Sequence, residues 1–119
     1  MNIDFSNDKP IYLQFADIIK RDIIVGKFRT TDKLPSVREF SNEYSINPNT
    51  VQKALQLLED EGLIITDRTN GKYVVDNIKQ IEKTKQQLIE EELKLFLSRM
   101  NDIGLDIIDI KKLIESIGE

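Results

Sequence analysis

Apolar residues in the first half of the chain recur at helical spacing in three runs, then give way to the short segments of a hairpin. Ile11, Phe15, Ile18, Ile19 and Ile23, with Tyr12 beside them, predict a first helix between Pro10 and Gly26. Pro10 suits a first helical position, where its missing N–H would have no intrahelical partner. Gly26 suits a C-terminal stop, because glycine accepts the left-handed conformation. A polar connector, Lys27 to Leu34, follows. Val37, Phe40 and Tyr44 then predict a second helix, from Val37 to Glu43, with Ser36 at its N-cap and Glu39 three residues on, the signature of a capping box. After the turn Ser45-Ile46-Asn47-Pro48, a buried stripe of Val51, Ala54, Leu55 and Leu58 marks a third helix. Asn47 would cap it, Pro48 begin it and Gly62 stop it.

Leu63 to Thr66 and Lys72 to Val75 read as two strands around a turn at Asp67 to Gly71, with Asn70-Gly71 as the hairpin signal. Tyr73 and Val75 share one face of the returning strand. Beyond Asp76 the composition shifts to a long, charge-rich helix, Ile78 to Met100, with Ile81, Leu88, Leu93, Phe96 and Met100 apolar. Asn101 to Gly104 breaks it. A last helix runs from Asp106 to Ile117 and carries Ile107, Ile110, Leu113, Ile114 and Ile117. The predicted fold is mostly α with a small β-hairpin. It comprises a winged helix-turn-helix over residues 1–77 and a two-helix C-terminal tail over 78–119.

Two short helices joined by a tight turn, with a hairpin directly after, place the second helix of the pair in the DNA major groove, its N-terminal residues at the base edges. Asn47, Asn49, Thr50, Gln52 and Lys53 occupy that end of the third helix. Asn and Gln can bond bidentately to adenine, and Thr or Lys can meet phosphate or base. Asn47 reads first as a cap.

Composition narrows the alternatives. The 119 residues are 39% hydrophobic and 32% charged, enough to build a core on Ile, Leu and Val, and there is neither Cys nor His. A disulfide framework, the usual zinc ligands and the commonest general base are therefore missing. No enzyme, cofactor or metal site is predicted. Glu90-Glu91-Glu92 reads as a solvated helix face, and Asp102, Asp106 and Asp109 lack the spacing of a calcium loop. No apolar run approaches the roughly 20 residues that span a bilayer. Met1 to Lys9 lacks the basic and apolar order of a signal peptide, so a cytoplasmic protein with no membrane partner is expected.

The net charge of −4 argues against nucleic acid only if the charge is evenly spread. It is not. From Lys27 to Arg38 four basic residues face one acid, and from Tyr44 to Leu58 the only charge is Lys53. Glu59, Asp60 and Glu61 cluster at the far end of the third helix. The alternative that the net charge favours is a winged-helix protein-interaction module without specific DNA binding.

Four blocks carry a family resemblance: Pro10-Ile11-Tyr12-Leu13-Gln14; Lys33-Leu34-Pro35-Ser36-Val37-Arg38-Glu39; Asn47-Pro48-Asn49-Thr50-Val51-Gln52-Lys53-Ala54; and Leu57, Glu59, Glu61-Gly62-Leu63-Ile64. In this order they resemble the GntR family of bacterial repressors, and the short helical tail resembles its YtrA subfamily. The resemblance implies a transcription regulator that binds a double-stranded DNA operator as a homodimer. The tail, 78–119, would serve dimerisation. It implies that Ser36 holds a phosphate at a helix N-terminus, that Arg38 reads a base, and that Asn49, Thr50 and Lys53 are recognition-helix contacts. Gly71, with Asn70 and Lys72, resembles the wing tip that approaches the minor groove. Two features depart from the pattern or bear on it. Thr30-Thr31 stand where the family has a Pro-Gly turn, which leaves the placement of Lys33 open. Asp67 brings an acid to the wing, where Arg68 would pair with it. A small-molecule effector has little room inside so small a tail. It would sit between tail and winged domain, or at a dimer interface.

Overall fold

The computed structural model describes residues 4–118. It contains α1 (Ile11–Ile24), α2 (Val37–Tyr44), α3 (Pro48–Asp60), β1 (Ile64–Asp67), β2 (Gly71–Val74), α4 (Ile78–Asp102) and α5 (Ile107–Ile117). The chain divides into two compact units, one ending at Glu82 and the other beginning at Lys83.

In the first unit α3 lies at the centre, packed against α1, α2 and β1. Its buried residues are Val51, Ala54, Leu55 and Leu58, the stripe that the periodicity predicts. Phe15 of α1 meets Phe40 and Tyr44 of α2 edge-on, at ring separations of 5.3 and 5.1 Å. Burying a side chain of this size contributes about 1.5–3 kcal/mol, so these contacts anchor the angle between the two helices. Pro10 is the N-cap of α1 rather than its first helical residue, with an extended ψ of 142°. Its carbonyl, not its ring position, begins the helix by accepting from Leu13 and Gln14. Asn47 caps α3 by accepting from the Asn49 N–H at 2.8 Å, with Pro48 at the first position.

The wing differs from the sequence expectation in two ways. The stretch Thr31–Leu34, read as a connector, is paired with β2 on the side opposite β1. The Thr31 N–H donates to Val74 O, the Val74 N–H to Asp32 O, and the Leu34 N–H to Lys72 O, at 2.9–3.0 Å. β1 pairs β2 antiparallel from Ile64↔Val74 to Asp67↔Gly71, so the loop is Arg68-Thr69-Asn70 rather than a two-residue Asn-Gly turn. The core-facing pair is Ile64 with Val74, both buried, whereas Tyr73 is only half-buried.

The first unit extends past Val75 into the start of α4. Ile81 packs on its core, and Gln80 Nε2 donates to Glu61 O at 3.0 Å. In the second unit α4 continues two residues beyond Met100, and Leu105 N–H closes the turn on Met100 O. Asp106 and Asp109 form a capping box at the start of α5. Ile110 is buried, but Leu93, Phe96, Ile107, Leu113, Ile114 and Ile117 stay exposed.

Candidate nucleic-acid interface

Ser36 is held by a complete capping box. Its hydroxyl oxygen accepts from the Glu39 N–H at 3.1 Å, and its own N–H donates to Glu39 Oε1 at 2.9 Å. The Ser36 N–H, then its hydroxyl, hold the Glu39 carboxyl below the ordinary carboxylate range. A phosphate arriving at this helix start competes with the Glu39 carboxylate for the Ser36 hydroxyl hydrogen. The Val37 and Arg38 N–H groups have no partner within the first helical turn. An anion arriving there meets these donors, but also the Glu39 charge.

Two clefts flank the exposed face of α3. One, about 360 Å³, is lined by Lys33, Ser36, Gln52, Arg68 and Asn70, among others. The second, about 460 Å³, is lined by Tyr12, Asn49, Gln52, Lys53 and residues further along α3. Gln52 borders both. Of the residues singled out from sequence, Ser36, Asn70, Gly71 and Lys72 line the first cleft, and Asn49 and Lys53 the second. Arg38 is exposed on α2 and Thr50 half-buried on α3, and neither lines these two clefts. Tyr12, Lys33 and Arg68 join the face without having been singled out. For Lys33 and Arg68 the basic surplus was the available signal.

At the wing, Asp67 does not pair with Arg68. Its carboxylate accepts from the Thr69 and Asn70 N–H groups at 2.9 and 3.3 Å and from Asn70 Nδ2 at 3.2 Å. The Thr69 N–H bond leads in holding its carboxyl below the usual range. Arg68 is exposed and lines the first cleft. Gly71 has φ +113°, and a Cβ there would touch Lys33 Cε at 3.4 Å. The glycine therefore closes the loop and admits the lysine stem. Lys72 is turned inward. Its ammonium donates to Thr66 Oγ1 at 2.7 Å and lies 3.9 Å from Glu59, with its side chain 17% exposed.

The cations sort by partner. Lys20, Arg21, Lys27 and Lys72 each pair with a carboxylate. Between Phe28 and Val75, Arg29, Lys33, Arg38, Lys53 and Arg68 form no ion pair among the described residues. Three of these five line the two clefts beside α3.

The family described as bacterial regulatory proteins, gntR family, matches residues 11–74, from the start of α1 to the end of β2. The chain belongs to the GntR family. The HTH-type transcriptional repressor YtrA of Bacillus subtilis (strain 168) is 36% identical over 118 residues, which cover 98% of this GntR-family chain and 91% of YtrA. A solved GntR family transcriptional regulator from Listeria monocytogenes shares the fold with a TM-score of 0.87 at 32% identity, covering 94% of this chain and 98% of that one. The AraR DNA-binding domain, solved in complex with operator ORE1, matches with a TM-score of 0.56 at 25% identity over 63% of this chain and 93% of that one. This GntR-family chain is a helix-turn-helix transcriptional regulator, and its relatives are regulators rather than enzymes. The match to YtrA runs through the short helical tail, in agreement with the subfamily resemblance. No helix among the described residues is long and apolar enough to cross a membrane.

Proposed function

We propose that this regulator is a repressor that binds a pseudo-palindromic operator as a homodimer, residues 1–77 reading one half-site and residues 78–119 joining the two copies. The observation that carries the reading is that Lys33, Arg68 and Lys53 line the two clefts beside α3 and form no ion pair among the described residues, although Glu39, Asp67 and Asp60 share those clefts. DNA carries one negative charge per about 1.7 Å of axis, and a face of this kind displaces its counterions. In this reading Arg38, Asn49, Thr50 and Lys53 meet bases or nearby phosphates, and Ser36 donates its hydroxyl to a phosphate. Asn70 and Gly71 bring the wing to the minor groove. Lys72 contributes only after leaving Glu59. The AraR domain seen on its operator supports DNA as the partner, and the repressor YtrA supports the direction of regulation.

Self-pairing is supported by the second unit. A cleft of about 350 Å³ there is lined by Phe96, Met100, Ile110, Leu113, Ile114 and Ile117, with Gly118 at its edge. An apolar surface of this kind marks an interaction site, and two-fold pairing is the commonest solution for a soluble chain. Sedimentation that finds a monomer at micromolar concentration overturns this part.

DNA reading is tested on duplexes selected from a random pool by the protein itself. Affinity should fall steeply with salt, and Arg38→Ala should reduce discrimination between selected and random duplexes by about 1–3 kcal/mol. No selection and no salt dependence would favour the protein-interaction module instead.

A further inference from the structure

Lys53 Nζ lies 4.1 Å from the centroid of the Tyr12 ring. Tyr12 sits in the first turn of α1, half-buried against the core. Lys53 is exposed on α3, one helical turn after Asn49. The two helices pack directly on each other, so the ring is fixed relative to the recognition surface. Asp60, the acid that lines the same cleft, accepts from Gln56 Nε2 at 2.9 Å and leaves Lys53 unpaired.

We propose that Tyr12 is a positioning residue for DNA recognition: its ring face holds the Lys53 ammonium beside Asn49 and Gln52 before DNA arrives. This rests on the reading of α3 as the recognition helix. A carboxylate would fix the ammonium equally well, as Glu61 does for Lys20, but it would cancel the charge that phosphate needs. An aromatic face attracts the cation through its quadrupole and carries no net charge. The N–H donors on the side away from the ring stay open. Lysine has a long stem with many rotamers, and ordering it in advance lowers the entropy lost on binding. A ring on α1 therefore acts on a DNA contact carried by α3 without needing to touch DNA itself.

The test is a double-mutant cycle on full-length protein, with affinity for the selected duplex measured across a salt series. Tyr12→Phe keeps the ring and should bind within about twofold of the parent. Tyr12→Leu and Tyr12→Met remove the quadrupole and keep apolar bulk. Each should weaken binding about two- to fivefold. Their slope of log affinity against log salt should stay at the parent value, because Lys53 keeps its charge. Lys53→Ala should lower that slope by about 0.9. In the Lys53→Ala background, Tyr12→Leu should cost nothing more. Proton NMR of the free protein gives a second readout: the Lys53 ε-methylene should be shifted upfield by the ring in the parent and in Tyr12→Phe. Additive losses, equal damage from Phe and Leu, or an unshifted methylene overturns the positioning role. A parent that selects no DNA overturns the recognition-helix reading, and the positioning role falls with it, a result distinct from every variant outcome.

Discussion

Thr31 has φ +67°, the left-handed region, in the turn Arg29-Thr30-Thr31-Asp32. The Asp32 N–H bonds Arg29 O at 3.0 Å, and the Arg29 N–H bonds Asp32 Oδ2 at 2.8 Å, so the turn is closed twice. Its third residue needs positive φ in a type II arrangement, where glycine is the usual choice. A β-branched residue there is an outlier, and the left-handed conformation costs an L-residue about 1–2 kcal/mol. Glycine removes that cost but adds about 0.4–1 kcal/mol of unfolded-chain entropy. Thr31 is exposed, so little side-chain burial is lost. Thr31→Gly should therefore stabilise the first unit by about 1 kcal/mol, which raises its melting temperature by roughly 4–8 °C. Thr31→Pro should do the reverse by at least about 2 kcal/mol, since it fixes φ near −65° and deletes the N–H that bonds Val74 O. Thermal melts followed by circular dichroism, at fixed protein concentration because self-association shifts the midpoint, read both changes. A glycine variant no more stable than the parent, together with a tolerated proline, would refute the left-handed turn. The pairing of Thr31–Leu34 with β2 would go with it.

Ser36→Ala should destabilise by about 1 kcal/mol and Ser36→Gly by only a few tenths, yet both should weaken DNA binding alike if the hydroxyl donates to phosphate; denaturation and binding midpoints separate the two effects. Glu39, Asp67 and Asp106 are held below their ordinary values mainly by backbone N–H bonds, from Ser36, Thr69 and Asp109 respectively. The unfolded chain therefore takes up protons first. Their stabilisation is complete above the ordinary carboxylate range and is lost as pH falls through the lowered folded values. Urea midpoints should drop between about pH 5 and pH 2, and less steeply in Glu39→Gln; an unchanged slope in that variant would count against the capping box. Glu59→Gln should free Lys72 while keeping the Thr66 hydrogen bond, and should steepen the salt dependence of DNA binding by up to about 0.9. An unchanged slope means that Lys72 lies beyond reach of phosphate.

The helices were legible because each carries its own period and its own caps. Val51, Ala54, Leu55 and Leu58 define a face without reference to any other element, and Ser36 with Glu39 marks a helix start within four residues. The wing was less legible because its pairing is carried by backbone. Thr31, Asp32 and Lys33 are polar and show no strand alternation, yet their peptide groups complete the ladder of β2. Nothing in a Thr-Thr sequence announces a left-handed residue. At the tip, Asn70-Gly71 signals a two-residue turn, but Asp67 bridges the Thr69 and Asn70 N–H groups and favours a loop one residue longer. Gly71 still supplies the positive φ that the tip requires, one place later than the signal suggests.

For the candidate interface, residue type proposed the face, but only the fold decides which charges are available on it. Lys33 and Lys72 are equivalent in composition. One is exposed with no ion pair, and the other is held by Glu59 and Thr66. The same sorting resolves the conflict between an acidic chain and an anionic partner. Asp32 closes a turn, Glu39 a helix cap and Asp67 the wing loop, each by accepting backbone N–H bonds. Glu59 and Glu61 are matched to lysines. Acids engaged in this way keep their charge but hold it at short range against donors of their own unit, where opposing dipoles and cations reduce its effect on a partner. Among the described residues, Arg29, Arg38, Lys53 and Arg68 form no ion pair with a carboxylate. Beyond a Debye length of about 8 Å at physiological salt the total charge is largely screened. What a phosphate meets at contact distance is therefore the local surplus, and the −4 of the whole chain is no obstacle to binding.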